Sequence, residues 1–366
     1  MSGNEQDYIN KAFESNWIAP LGPNVDNFEK NAERYLGGGY AVALNSGTSA
    51  IHVALIMLGV EPGDTVFCSS MTFVASANPI MYVGAEPVFI DSEKESWNIC
   101  PDILEKAICE VEVKPKVLIV VDLLGQSANY KKIVAICKKY GVAIVEDAAE
   151  ALGAEYDGEK CGLFGDFGIF SFNGNKILST SGGGMLICKS KEDAERAKFL
   201  ITQARDKAPY YLHTEVGYNY RMSNIIAGIG IAQLGVLDLR VRKKREINSY
   251  YKRELSSIEC IEFMPEPSWS LSTKWLTSIT IKLSSSIVPD DVINALECEG
   301  IEARRLWKPL HTQPLFSGYK YYSSSKSICD DLFNRGVSLP SGTQLEKSDL
   351  ERIVTVIKDL FKNESK

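Results

Sequence analysis

From Tyr40 onward the chain alternates short apolar runs with stretches of helical spacing. Tyr40–Leu44, Thr65–Cys68, Pro87–Ile90, Val117–Val121 and Val142–Val145 are apolar at nearly every position. Strands read this way when both faces of their sheet are covered. Thr48–Leu58, Val74–Tyr82 and Tyr130–Lys139 lie between them with helical patterns. Such alternation predicts an α/β fold: a mostly parallel central sheet with right-handed crossovers and helices on both faces. Phe167–Phe172 and Met185–Cys188 predict two further strands around a polar Gly/Ser/Asn loop. Asn224–Leu239 predicts an apolar helix and Leu239–Lys252 a basic amphipathic one. Past residue 250 the pattern changes: Leu276–Leu283 alternates as a strand, while Pro289–Glu299 and Asp349–Phe361 read as helices. The expected division is a large α/β domain over 1–240 and a smaller α+β domain over 241–366.

Composition narrows the function. With 366 residues, 45% hydrophobic and 24% charged, the chain has an ordinary globular mix. A net charge of -7 argues against a nucleic-acid partner, which favours a basic stripe. No stretch reads as a membrane span and the first residues do not read as a secretory signal, so a cytoplasmic protein is expected. The nine Cys form no C-x-x-C pair and the three His form no H-E-x-x-H helix, so no metal site is expected. His52, inside an apolar helical pattern, reads as a packed residue.

In a parallel sheet, ligands bind beyond the carboxyl ends of the strands. Tyr40–Leu44 is followed by Asn45-Ser46-Gly47-Thr48-Ser49-Ala50 and then a helix. Such a start can hold a phosphate, or Ser and Thr can simply cap the helix. Val142–Val145 is followed by Glu146-Asp147-Ala148-Ala149-Glu150. Asp147 can point into the cleft and pair with a protonated ring nitrogen, or complement a helix dipole. Phe170-Ser171-Phe172-Asn173-Gly174-Asn175-Lys176 comes next, with Ser181-Gly182-Gly183-Gly184 beyond it. A buried Lys there would be a nucleophile towards an aldehyde, whereas Asn-Gly equally signals a hairpin turn.

The order of these signals resembles one family. Asn45–Ala50, Thr72–Asn78, Asp147–Gly153, Ser171–Lys176, Gly217–Met222 and Trp307–His311 look like the DegT/StrS sugar-nucleotide aminotransferases, across roughly residues 8 to 363. The resemblance implies a fold-type I enzyme dependent on pyridoxal 5'-phosphate. It implies that Lys176 bonds to the cofactor and shuttles the proton. Asp147 would pair with the pyridine nitrogen, Phe73 would stack on the ring, and Glu150 would sit near the phenolic oxygen. Gly47, Thr48 and Ser171 would hold the phosphate, completed by Asn219 from the other subunit of a homodimer. Many members carry Gly-Glu-Gly-Gly where this chain has Ser181-Gly182-Gly183-Gly184.

Thr202-Gln203-Ala204-Arg205, the Thr180–Met185 run, Asn16–Gly22 and Leu339–Thr343 resemble one branch of that family. Its members make UDP-4-amino-4,6-dideoxy-N-acetylglucosamine for bacillosamine, with L-glutamate as donor and 2-oxoglutarate as product. Perosamine synthases, acting on GDP-4-keto-6-deoxymannose, look similar through the core. Arg304, Arg305, Lys308 and His311 form a basic cluster around Trp307 that can bind the sugar nucleotide's diphosphate or simply be a solvated helix end, and Tyr220 and Arg221 can contribute from the dimer partner. A different class, a nicotinamide-dependent sugar-nucleotide oxidoreductase, fits the sheet but lacks a G-x-G-x-x-G after the first strand.

Overall fold

The structure, a computed structural model, describes residues 1–364. The main sheet has eight strands: β1 (Tyr40–Leu44), β2 (Thr65–Ser69), β3 (Glu86–Ile90), β4 (Val117–Val121), β5 (Ala143–Asp147), β8 (Phe167–Ser171), β9 (Gly184–Cys188) and β14 (Tyr321–Tyr322). Their order is β1-β9-β8-β5-β4-β2-β3-β14. The neighbours from β8 to β14 pair in parallel, and β9 runs antiparallel to both β8 and β1. The carboxyl ends of β1, β2, β4, β5 and β8 therefore open on one edge, where β9 begins. A small three-stranded sheet joins β6 (Glu155–Tyr156), β7 (Glu159–Lys160) and β11 (Ser270–Leu271).

Helices cover both faces of the main sheet. Ser46 starts the helix Gly47–Met57 by accepting from Ser49 N–H at 3.0 Å. Asn129 caps Tyr130–Tyr140, and Gly141 closes it in the left-handed region at φ 69°. Because both faces are covered, the middle strands β2 and β4 are buried at every residue. Apolar runs in the sequence are therefore strands, as expected.

Two helices at the front, Glu5–Glu14 and Pro23–Leu36, pack against Asn224–Leu234. That last helix ends at Leu234, five residues before the expected end at Leu239. The chain turns through Gly235 and Val236, and the basic helix Leu237–Glu254 follows. The second large sheet is β10 (Ile261–Phe263), β12 (Thr277–Ile281), β13 (Arg304–Arg305) and β15 (Gly336–Leu339), in the order β10-β12-β15-β13. Pro289–Cys298 and Lys347–Glu364 share its core with Ile247 and Tyr251. The chain then recrosses the expected boundary near residue 240. Leu310 and Phe316 pack with Phe89 and Ile80, and β14 adds to the edge of the first sheet. A single cut there does not divide the packing, because Leu310 and Phe316 of the 310–322 segment are buried against the large sheet.

Candidate active site

The carboxyl edge of the main sheet holds a cavity that includes Gly47, Thr48, Phe73, Ser76, Asp147, Glu150, Ser171, Lys176 and Trp307 in its wall. Each arrives from a strand end. The first turn of Gly47–Met57, whose amides have no partner within the helix, forms the wall at Gly47 and Thr48. Ser46 caps this turn, and the helix start faces the cavity. Ser171 closes in beside it, since a Cβ on Gly47 would sit 3.1 Å from Ser171 Cβ. The last of the three glycines has a related cause. A Cβ on Gly184 would collide with the backbone of Ser46 and Gly47, so glycine there lets β9 approach the helix start.

Asp147 ends β5 and is buried. It accepts from Ser76 Oγ at 2.7 Å, and Ser76 Oγ pairs with Thr72 Oγ1 at 2.8 Å. Burial pushes its carboxyl above the usual range, against the pull of Ser76, the Ala149 amide and the Lys176 charge. Glu150 is also buried. One oxygen accepts from Leu124 N–H at 2.8 Å, and the other lies 3.6 Å from Lys176 Nζ. Burial raises Glu150 too, with Lys176 pulling it down.

Lys176 sits on the loop joining β8 to β9. The loop is tied at its base by Phe172 N–H to Gly183 O and Thr180 N–H to Phe172 O, each at 2.9 Å. The loop closes as a hairpin, with Lys176 turned inward at 11% exposure. Phe73 is half-exposed at the rim, its ring 5.5 Å from that of Trp307. Sequence reasoning missed Thr72 as an individual contributor, Ser76, and Trp275, whose ring centre is 4.4 Å from Lys176 Nζ. Only Thr72 and Ser76 stood inside a recognised motif; Trp275 lies a hundred residues from Asn175, whose carbonyl it holds, and carried no local signal.

The expected diphosphate cluster does not form. Arg304 is exposed and pairs with Glu302, and Arg305 pairs with Asp290 at 2.7 Å. Lys308 is exposed beside Trp307. His311 is committed to Ser70 Oγ at 2.7 Å and Asp330 at 3.2 Å, and stacks on Tyr321. Tyr220 is likewise turned into its own chain, 3.2 Å from His52 and stacked on Tyr218. Arg221 is neutralised by Glu29 at 2.7 Å. Arg305, Arg221 and His311 are thus held by acids distant in sequence, and Arg304 by its neighbour Glu302. Asn219 is exposed outside the cavity, in a groove with Leu21, Thr202 and Gln203. His52 is a packed residue, 7% exposed.

A lysine and a buried carboxylate beside an open helix start, over a mostly parallel sheet, define a fold-type I aminotransferase that uses pyridoxal phosphate. The comparisons agree. EpsN of Bacillus subtilis, which carries the provisional name of a pyridoxal phosphate-dependent aminotransferase, is 52% identical over 366 residues, covering 99% of this chain and 94% of EpsN. A GDP-perosamine synthase of Escherichia coli O157:H7 is 34% identical over 99% of this chain and 96% of its own length. A crystal structure of a DegT DnrJ EryC1 StrS aminotransferase from Brucella abortus superposes with a TM-score of 0.90 at 31% identity, covering 97% of this chain and 95% of that one. Residues 1–358 match the DegT/DnrJ/EryC1/StrS aminotransferase family, and the chain belongs to it. The oxidoreductase alternative falls with that membership.

The residues present fit the cofactor. Asp147 is a buried carboxylate whose charge lacks a full counter-charge, which a cationic ring nitrogen would supply. The helix start beside Ser171 suits a phosphate, and Lys176 suits an aldehyde.

Proposed function

We propose that the protein moves an amino group from L-glutamate to the 4-keto carbon of UDP-2-acetamido-2,6-dideoxy-4-hexulose, giving UDP-4-amino-4,6-dideoxy-N-acetylglucosamine and 2-oxoglutarate. The observation that carries the chemistry is the convergence of Lys176, Asp147 and the Gly47–Thr48 helix start on one cavity. Pyridoxal phosphate supplies the aldehyde that takes the amino group from the donor and yields it to the sugar's carbonyl. Lys176 Nζ would hold the cofactor between turnovers. Once free, Nζ would take the proton from the donor's α-carbon and hand it to the carbon of the cofactor's aldehyde group in the first half, and reverse this in the second. Asp147 would pair with the ring nitrogen, with Ser76 fixing its carboxylate. Gly47, Thr48 and Ser171 would hold the phosphate. Phe73 would stack on the ring, Glu150 would border it, and Trp307 with Lys308 would border the sugar side.

Asn219 completes the phosphate site of a second copy in a homodimer with shared sites. Its exposure away from its own cavity supports this role. A monomer that retains cofactor as the dimer does would contradict the shared site. The UDP sugar rests on the resemblance of residues 202–205 and their neighbours to the bacillosamine branch. A second reading, GDP-4-keto-6-deoxymannose, is favoured by the GDP-perosamine synthase at 34% identity. Offering both keto-sugars with glutamate, side by side, separates them. Aminated UDP sugar is the expected product, and turnover of the GDP sugar alone would overturn this assignment. The site is expected to work in the cytoplasm, where nucleotide sugars are made.

A further inference from the structure

Trp275 is almost fully buried, at 2% exposure, and touches the cofactor lysine in two ways. Its indole N–H donates to the carbonyl of Asn175, the residue before Lys176, at 2.9 Å. The centre of its ring lies 4.4 Å from Lys176 Nζ, inside the distance at which an aromatic face attracts a cation. Trp275 is itself held firmly. Its carbonyl accepts from the buried Lys244 Nζ at 2.8 Å, and Lys244 reaches Ser341 O at 2.9 Å as well. Lys274, just before it, takes the left-handed conformation at φ 52° and pairs with Glu266 at 3.2 Å. The counter-charge is Glu150, 3.6 Å from Nζ and anchored by the Leu124 amide.

We infer that Trp275 is a positioning residue for transamination: its ring face and Glu150 together form a holding place for the free Lys176 ammonium. The indole N–H fixes the loop, and the ring fixes the end of the side chain. When Nζ is not bonded to the cofactor it stays at the cavity wall, charged and oriented, rather than swinging into water. A Leu in place of Trp275 fills space but offers no negative face, and a Phe offers a weaker one.

The inference rests on Lys176 being the cofactor lysine, so the test reads the amine without the cofactor. Cofactor-free enzyme, its Trp275→Leu and Trp275→Phe variants, and parent protein grown with fluorinated tryptophan are trace-labelled with acetic anhydride near pH 7, and labelling of Lys176 is followed by mass spectrometry. Losing the ring should speed labelling about three- to tenfold in Trp275→Leu, with Trp275→Phe in between. Fluorination weakens the negative face of the indole with little change of size, so labelling should rise with each added fluorine. Labelling that ignores fluorination would show that the Trp275→Leu effect is added exposure only and overturn the inference, as would no acceleration in any of them. If Trp275→Leu does not fold, the fluorinated protein against the parent decides. Borohydride treatment of cofactor-loaded Trp275→Phe should still tag Lys176. Absence of that tag would sink the cofactor assignment and leave the labelling result to judge Trp275.

Discussion

Glu146 and Asp147 are neighbours at the end of β5, yet strand alternation sends them to opposite faces of the sheet. Asp147 faces the cleft with one side-chain donor, Ser76, and the amide of Ala149. Glu146 faces away and is saturated: it accepts from the amides of Gly162, Phe164 and Gly165. Asp122 stands next to it, taking the amide of Ala128 at 2.8 Å and the hydroxyl of Tyr130 at 2.9 Å. Asp122, Glu146 and Cys161 lie close enough to suggest a metal site, but both Glu146 oxygens are already occupied by backbone donors. Burial and the Glu146 charge hold Asp122 well above the ordinary carboxylate range, so Asp122 carries the proton and Glu146 the charge. A carboxylate given all its partners by the fold ties loops together. One left short of partners, facing a cavity, is available to a ligand.

That contrast can be broken by three substitutions. Asp147→Asn should cost the largest effect, at least about a hundredfold in kcat, the scale of removing one preorganised electrostatic group. Its melting temperature without cofactor should hold. Glu146→Gln should do the reverse: a stability loss of about 1–3 kcal/mol in denaturant unfolding, because an amide N–H now meets backbone donors, with kcat per folded molecule kept. Asp122→Asn retains a donor towards Glu146, so its unfolding free energy should change by less than about 1 kcal/mol. Equal stability losses in the last two variants would refute the placement of the proton.

The pH dependence gives a smaller effect. Burial raises the carboxyls of both Asp147 and Glu150 in the cofactor-free protein. A group raised on folding contributes stability that is fully present below its unfolded value, about 4, and is lost as pH rises through its folded value. Cofactor-free enzyme should therefore lose thermal stability as pH climbs from about 4 towards neutrality. The double variant Asp147→Asn, Glu150→Gln should lose less. The slope persists in part, since Asp122 and Glu146 are raised in the same way. An unchanged slope in the double variant would contradict the burial argument.

How much of this was legible depends on whether the signal was local. The strands of the main sheet were visible because a covered strand is apolar at every position, as in Val117–Val121. Gly47, Ser171, Asp147 and Lys176 were visible because each lies at or a few residues beyond the carboxyl end of a strand. The helices Glu5–Glu14 and Pro23–Leu36 escaped notice; their mostly polar surfaces hide a narrow buried stripe such as Val25, Phe28 and Ala32. The two-residue strand β14 could not be read at all, since its pairing is with β3, more than two hundred residues earlier. The pairing of Arg305, Arg221 and His311 could not be read locally. Their acidic partners Asp290, Glu29 and Asp330 are brought to them only by tertiary contacts, whereas Arg304 pairs with its neighbour Glu302. Trp275 was hidden for the same reason, in that only the fold brings it to Lys176.

The central claim is that the amine of Lys176 bonds to the cofactor aldehyde. Enzyme loaded with pyridoxal phosphate, reduced with borohydride, digested and mapped by mass spectrometry tests it directly. The reduced cofactor should appear on the peptide containing Lys176 and be absent from a Lys176→Ala control. A tag on another lysine of the cleft neighbourhood, such as Lys274 or Lys308, with Lys176 unmodified, would contradict it.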